Sequence, residues 1–126
     1  MKVVWPIYKL KQELNQYPGV MIIASLLKEH GFEVELADAV EDEVAARLEG
    51  ADKPLLAYSS TTVCIRYYLD LNRRLKERFP SATSVFGGPH PTYFPDMIEE
   101  EGVDAVCIGE GEYAMLEFAQ RFAAGE

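Results

Sequence analysis

The amino-acid sequence predicts an α/β fold: a five-stranded parallel sheet in the order 2-1-3-4-5, with helices on both faces. Two observations carry that expectation. Apolar residues alternate between a period of two and a period near 3.6 along all 126 residues, with no linker or low-complexity segment between them. Each short apolar run is followed by an amphipathic one, and strands separated by helices close into a parallel sheet through right-handed crossovers. Residues 1–126 are therefore expected to form a single domain, large enough to bury a core without disulfide or metal staples.

The elements follow in order. "KVVWP" is a short buried strand that Pro6 is expected to stop. "GVMIIASLLKEHG" places Val20, Ile23, Ala24 and Leu27 on one helical face and ends at Gly31, a natural C-cap. "FEVELAD" alternates Phe32, Val34 and Leu36, the pattern of a strand near a sheet edge. "VEDEVAARLEG" is a short amphipathic helix, and "PLLAYS" is apolar on both faces, hence a central strand. "CIRYYLDLNRRLKERFP" turns Ile65, Tyr68, Leu69, Leu75 and Phe79 toward the core and closes at Pro80. "ATSVFGG" is the fourth strand, and "FPDMIEEEG" a short helix with Pro95 in its first turn. "VDAVCIG" is the fifth strand and "EGEYAMLEFAQRFAAGE" the closing helix. The arrangement is that of a flavodoxin-like sheet.

Composition narrows the function. Apolar residues make up 48% and charged residues 26%, as in ordinary globular domains. The formal net charge of −9 repels phosphate backbones and argues against nucleic-acid binding. "VMIIASLL" is too short to span a bilayer and "MKVVWPIYKLKQ" lacks the features of a signal peptide, so a cytoplasmic protein with no membrane partner is expected. Cys64 and Cys107 form neither a CxxC site nor a disulfide framework, and with only His30 and His90 no zinc site is expected.

In open parallel sheets, ligands bind outside the carboxyl ends of the strands, near the point where strand order reverses. The loops there are "PIYKLKQ", "SSTT" (Ser59, Ser60, Thr61, Thr62), "GGPHPT" (Gly87, Gly88, Pro89, His90 onward) and "GEGE" (Gly109, Glu110, Gly111, Glu112). Small and hydroxylated residues suit close backbone approach and hydrogen bonding to amides, not proton transfer or nucleophilic attack. Each loop also has a plainer explanation. "SSTT" can cap the next helix, "GGPHP" can be a forced tight turn, and the glutamates can sit at a helix N-terminus. A receiver domain would need an acidic cluster after the first strand and an aspartate ending the third, where Pro6 and Ser59 stand. A flavodoxin would need a hydroxyl-rich first loop, and a mononucleotide fold a G-x-G-x-x-G, of which only Gly19 is present.

These loops resemble the N-terminal cobalamin-binding domain of radical S-adenosylmethionine enzymes, a group that includes anaerobic magnesium-protoporphyrin monomethyl ester cyclases. The likeness rests on "GGPHPT" at Gly87 to Thr92 and "DAVCIGEGE" at Asp104 to Glu112. It extends through "LLAYSSTT", "LNRRLKERFP" and "GVMIIASLLKEHGFEVELADA". The resemblance implies a cobalamin site formed by Tyr8, Ser59, Ser60, Thr61, Thr62, Gly87, Gly88, Pro89, His90, Gly109, Glu110 and Gly111. The serines and threonines would hydrogen-bond the nucleotide tail or the corrin amides, and the glycines would let the tail approach the backbone. Gly88→Val is expected to abolish cobalamin binding while the fold tolerates it, because Pro89 restricts residue 88 to extended conformations; the rival reading is a positive backbone dihedral in the turn, which Val would strain. "QYPGV" replaces the family's frequent double proline. "WPIYKLKQ" lacks the D-x-H-x-x-G histidine of other cobalamin domains, so cobalt is expected to bind without a protein His ligand, with Tyr8 covering that face. No CxxxCxxC is present, so the [4Fe-4S] cluster and S-adenosylmethionine are expected in a separate barrel domain, in the same full-length chain or another subunit. Such enzymes act as methyltransferases or oxidative cyclases. The alternatives are a partner-docking domain that no longer binds a cofactor and, further behind, a hydrolase using Glu110 or Glu112.

Overall fold

A computed structural model gives the fold and describes residues 2–8, 18–61, 64–108 and 112–125. The strands are β1 (Lys2–Ile7), β2 (Glu33–Asp38), β3 (Leu55–Ser59), β4 (Thr83–Gly87) and β5 (Ala105–Val106). The helices are α1 (Pro18–Glu29), α2 (Glu41–Leu48), α3 (Ile65–Arg78), α4 (Pro89–Tyr93) and α5 (Glu112–Ala123), with a 3-10 turn at Pro95–Glu99. All pairings are parallel and the sheet order is β2-β1-β3-β4-β5, as the hydrophobic periods imply.

Period-two alternation sorts the strand residues onto two faces. Val3, Trp5, Ile7, Leu55, Ala57 and Val85 pack under α1 and α5 with Val20, Leu27, Met115 and Ala119. Val4, Leu56, Tyr58 and Phe86 pack under α2 and α3 with Val44, Leu48, Tyr68 and Leu75. At the end of α1, the Phe32 N–H donates to the Leu27 carbonyl and the Gly31 N–H to that of Lys28, both at 3.1 Å. Gly31 closes this reciprocal cap at a φ of 88°, where only glycine is unstrained.

The second face carries a polar hub that the sequence did not announce. Asn72 is fully buried; its Oδ1 accepts from Tyr58 Oη (3.1 Å) and Ser84 Oγ (2.5 Å), and its Nδ2 donates to the Gly102 carbonyl (2.8 Å). Asp104 closes the same seam by accepting from the Ser84 N–H at 2.8 Å and pairing with Lys76. Within the Asp104 to Glu112 stretch, this aspartate thus ties β4, α3 and the approach to β5 together. Asn72→Ala would strand two buried hydroxyls and a carbonyl, and should lower unfolding free energy by about 2–4 kcal/mol in a urea titration.

Three expectations are corrected. Pro6 does not stop β1: pairing with β2 continues through Pro6↔Ala37 to Ile7↔Asp38. The ladder to β3 ends at Val4↔Leu56, short of the residue with no N–H to give. "PHPTY" is a short helix rather than loop, with Pro89 at its start, where a missing N–H is harmless. The fifth strand is confined to Ala105–Val106, although the Cys107 N–H still donates to the Phe86 carbonyl at 2.8 Å.

Candidate functional site

At the carboxyl ends of β1, β3 and β4 an apolar cleft of about 280 Å³ opens between the sheet and helices α1 and α5. Its floor is Trp5, Ala57, Ser59, Val85 and Gly87; Gly19, Val20, Ile23 and Met115 descend from the helices, and Gly88, Pro89 and Cys107 complete the rim. The gap has a simple origin. Ala57 and Gly87 are small residues where neighbouring strands would otherwise project large ones, and Gly19 thins the helix above them. Protein interiors otherwise leave little empty space, so an apolar cleft of this size is a feature to be explained.

The two glycines of "GGPHPT" differ. At Gly87, in regular strand, a Cβ would lie 3.7 Å from Cys107 Cβ and 3.9 Å from the Tyr58 carbonyl oxygen, ordinary contacts with space beyond. Gly88 has φ of 94°, and a Cβ there would come within 2.9 Å of both the N and the O of Ser60. The expectation that Val would be tolerated at position 88 is therefore overturned. Proline restricts mainly ψ of the preceding residue, while φ here is set by the close crossing of two loops.

That crossing is fixed by Ser60, which is fully buried. Its N–H and Oγ donate to the Gly87 carbonyl (2.8 and 3.2 Å), and its own carbonyl accepts from the His90 N–H (3.0 Å). Thr92 Oγ1 donates to the Gly88 carbonyl at 3.0 Å, and the His90 ring stacks on Phe94 with centroids 5.0 Å apart. Ser59 reaches the cleft itself, and Thr61 is exposed at the strand end. Burial pushes the Cys107 thiol up, which favours its neutral form.

Tyr8 follows β1 on the same sheet edge. Its N–H donates to Tyr68 Oη at 3.0 Å, and its ring meets Tyr67 edge-on with centroids 5.0 Å apart. Tyr67 is anchored in turn by donating to the Ala39 carbonyl. Thr62, Gly109, Glu110 and Gly111 lie outside the described residues. Trp5, Ala57, Gly19 and Met115 were not among the sequence candidates. The signal that could have found them is the pair of small residues, Ala57 and Gly87, two positions apart in the register of adjacent strands. Among the described residues no three of His, Cys, Asp or Glu cluster to hold a metal ion, and no helix is long and apolar enough to cross a membrane. A larger, open hollow beside Lys2, Glu33 and Gly50 lies at the opposite end of the sheet, away from these loops.

Fold and cleft together define a Rossmann-like cofactor-binding domain. The B12 binding domain family matches residues 15–119, and the chain belongs to it. Over 82% of its length it is 31% identical to the cobalamin-dependent radical SAM methyltransferase TokK of Streptomyces tokunonensis, covering 17% of that protein. The monomethylamine corrinoid protein of Methanosarcina barkeri superposes with a TM-score of 0.67 at 24% identity, over 93% of this chain and 57% of that one. A Burkholderia thailandensis E264 protein assigned to pilus assembly, CpaE, superposes with a TM-score of 0.66 at 16% identity, over 100% and 99% of the two chains. The fold is thus shared with a protein of another role, and fold alone does not choose the cofactor. The family match makes this a cobalamin-binding domain related to a radical methyltransferase.

Proposed function

We propose that this chain holds cobalamin for a radical S-adenosylmethionine methyltransferase or oxidative cyclase. The catalytic barrel, with its [4Fe-4S] cluster and S-adenosylmethionine, would lie in the same full-length chain or a separate subunit. The observation that carries the reading is the apolar cleft at the carboxyl edge of the sheet, in a chain of this family. Bound cobalamin supplies a cobalt centre for methyl-group or electron transfer. The protein's part is to bind and orient it.

The residues present fit such a cofactor. The cleft takes a flat aromatic group; Gly87 leaves room for a tail to run against the strand. Ser59 and Thr61 supply hydroxyls at the edge for tail or corrin amides, and the resemblance adds Thr62. Ser60 and Gly88 act differently, locking the β3 and β4 loops together so that the edge keeps its shape. Pro89 sets the rim from α4, and the His90 N–H ties that helix to the Ser60 carbonyl. Gly109, Glu110 and Gly111 are carried as cofactor contacts by the resemblance alone. Tyr8, held by Tyr67 and Tyr68, would lie beside a bound corrin ring where other cobalamin domains carry a histidine, and would hold the cofactor without ligating its cobalt. Electron paramagnetic resonance of the reduced cobalt(II) form bound to the protein tests this. A bound spectrum without axial-nitrogen splitting is expected, and splitting from an axial nitrogen would contradict it.

Exposed Tyr93, Phe94 and Ile98 on one side of the edge favour a second reading, a docking domain without a cofactor. Failure of the protein to bind any corrinoid would select it.

A further inference from the structure

The segment that follows β4 is anchored on one side and apolar on the other. Pro91 and Met97 are buried, while Tyr93, Phe94 and Ile98 are 78%, 54% and 42% exposed. The Phe94 N–H donates to the His90 carbonyl at 2.8 Å and the rings of the same two residues stack, so the exposed side is held outward by the backbone. Asp96, Glu99, Glu100 and Glu101 stand among these residues, all exposed, and none enters an ion pair among the described residues. From Phe79 to Gln120 the sequence has eight Asp or Glu and no Lys or Arg. Lys76, reaching over from α3, is taken by Asp104.

We propose that the face from Tyr93 to Glu101 docks a partner protein whose surface combines apolar side chains with arginine or lysine. Exposed aromatic residues on a fixed backbone are effective interface anchors, because they bury a large area at little cost in side-chain entropy. An aromatic ring also accepts a guanidinium on its face, and carboxylates beside it pair with further cations at the rim. The same charge disfavours the other occupants of an apolar face. A second copy would set its own carboxylates against these, and an anionic lipid surface would be repelled. The proposal gives the docking face named above a partner of stated chemistry, and it holds whether or not the cleft carries a cofactor.

Two amphipathic helical peptides of equal length, one of leucine and arginine and one of leucine and glutamate, probe the face with no corrinoid present. The arginine peptide should bind wild type, shift the amide signals of residues 93–101 most, and weaken about tenfold between roughly 0.05 and 0.5 M salt. The glutamate peptide should not bind. Tyr93→Ser/Ile98→Ser should keep the melting temperature and weaken arginine-peptide binding about tenfold. Met21→Ser/Ile22→Ser removes the exposed apolar pair of α1 and should leave that binding unchanged. Should Tyr93→Ser/Ile98→Ser fail to fold, Glu99→Gln/Glu100→Gln/Glu101→Gln decides, with weaker binding and a flatter salt dependence expected. No binding of the arginine peptide, equal loss in both apolar variants, or shifts centred on the acidic first turn of α2 would overturn the assignment. Self-association, or flotation with phosphatidylcholine vesicles, that Tyr93→Ser/Ile98→Ser abolishes would give the face to a second copy or to lipid instead. With corrinoid absent, failure here leaves the cobalamin reading standing, and failure to bind hydroxocobalamin leaves this one.

Discussion

Gly88→Val should unfold the free domain by about 3–5 kcal/mol, seen as a fall in melting temperature of roughly 10–20 °C with no ligand present. The backbone there is at φ of 94°, a region costly for any β-branched residue, and the first carbon of the new side chain meets the Ser60 backbone at 2.9 Å. Neither strain can relax alone. Rotating φ toward negative values pulls apart the Ser60 N–H···Gly87 carbonyl and His90 N–H···Ser60 carbonyl bonds that join the two loops. Thermal melts of the two proteins measure the effect, and an unchanged melting temperature would show that the loop crossing is not fixed as described.

Gly87→Val should do the reverse. The strand geometry suits valine, and the Cβ site has no heavy neighbour closer than 3.7 Å, so the free protein should keep its melting temperature to within a few degrees. The branched side chain would project into the cleft, and hydroxocobalamin binding should fall by about a hundredfold or more. The two adjacent glycines thus separate a structural requirement from a ligand requirement. A loss of stability at position 87, or retained binding, would remove Gly87 from the site.

Much of the fold was legible because burial on both sides of a parallel sheet leaves a plain imprint. "PLLAYS" is apolar on both faces and occupies the centre, while "FEVELAD", with its wetter side, forms the edge. Pro6 was misread because the rule that proline ends a strand ignores a ladder that continues on one side only. The prolines of "GGPHPT" suggested a turn, although a proline in the first turn of a helix is equally at ease. Asn72 carried no signal in the sequence because its burial depends on three partners distant along the chain. The site was legible as an edge and as loops, since strand order fixes which ends converge. Its cleft was not. Trp5, Val20, Ala57, Gly87, Cys107 and Met115 come from six different segments, and their common void exists only once the sheet and both helices are in place. The division of labour between Gly87 and Gly88 was equally hidden, because two identical residues differ there only in φ and in what lies beside them.

The central claim is that this domain binds cobalamin in the apolar cleft at the carboxyl edge of its sheet. Equilibrium dialysis of the wild-type protein against hydroxocobalamin, with Gly87→Val beside it, tests that most directly. One corrinoid per wild-type chain is expected, with a dissociation constant of roughly micromolar or weaker because one corrin face is left uncovered, and binding should be lost in the variant. No binding to wild type at close to millimolar hydroxocobalamin, or equal binding by the two proteins, would contradict it.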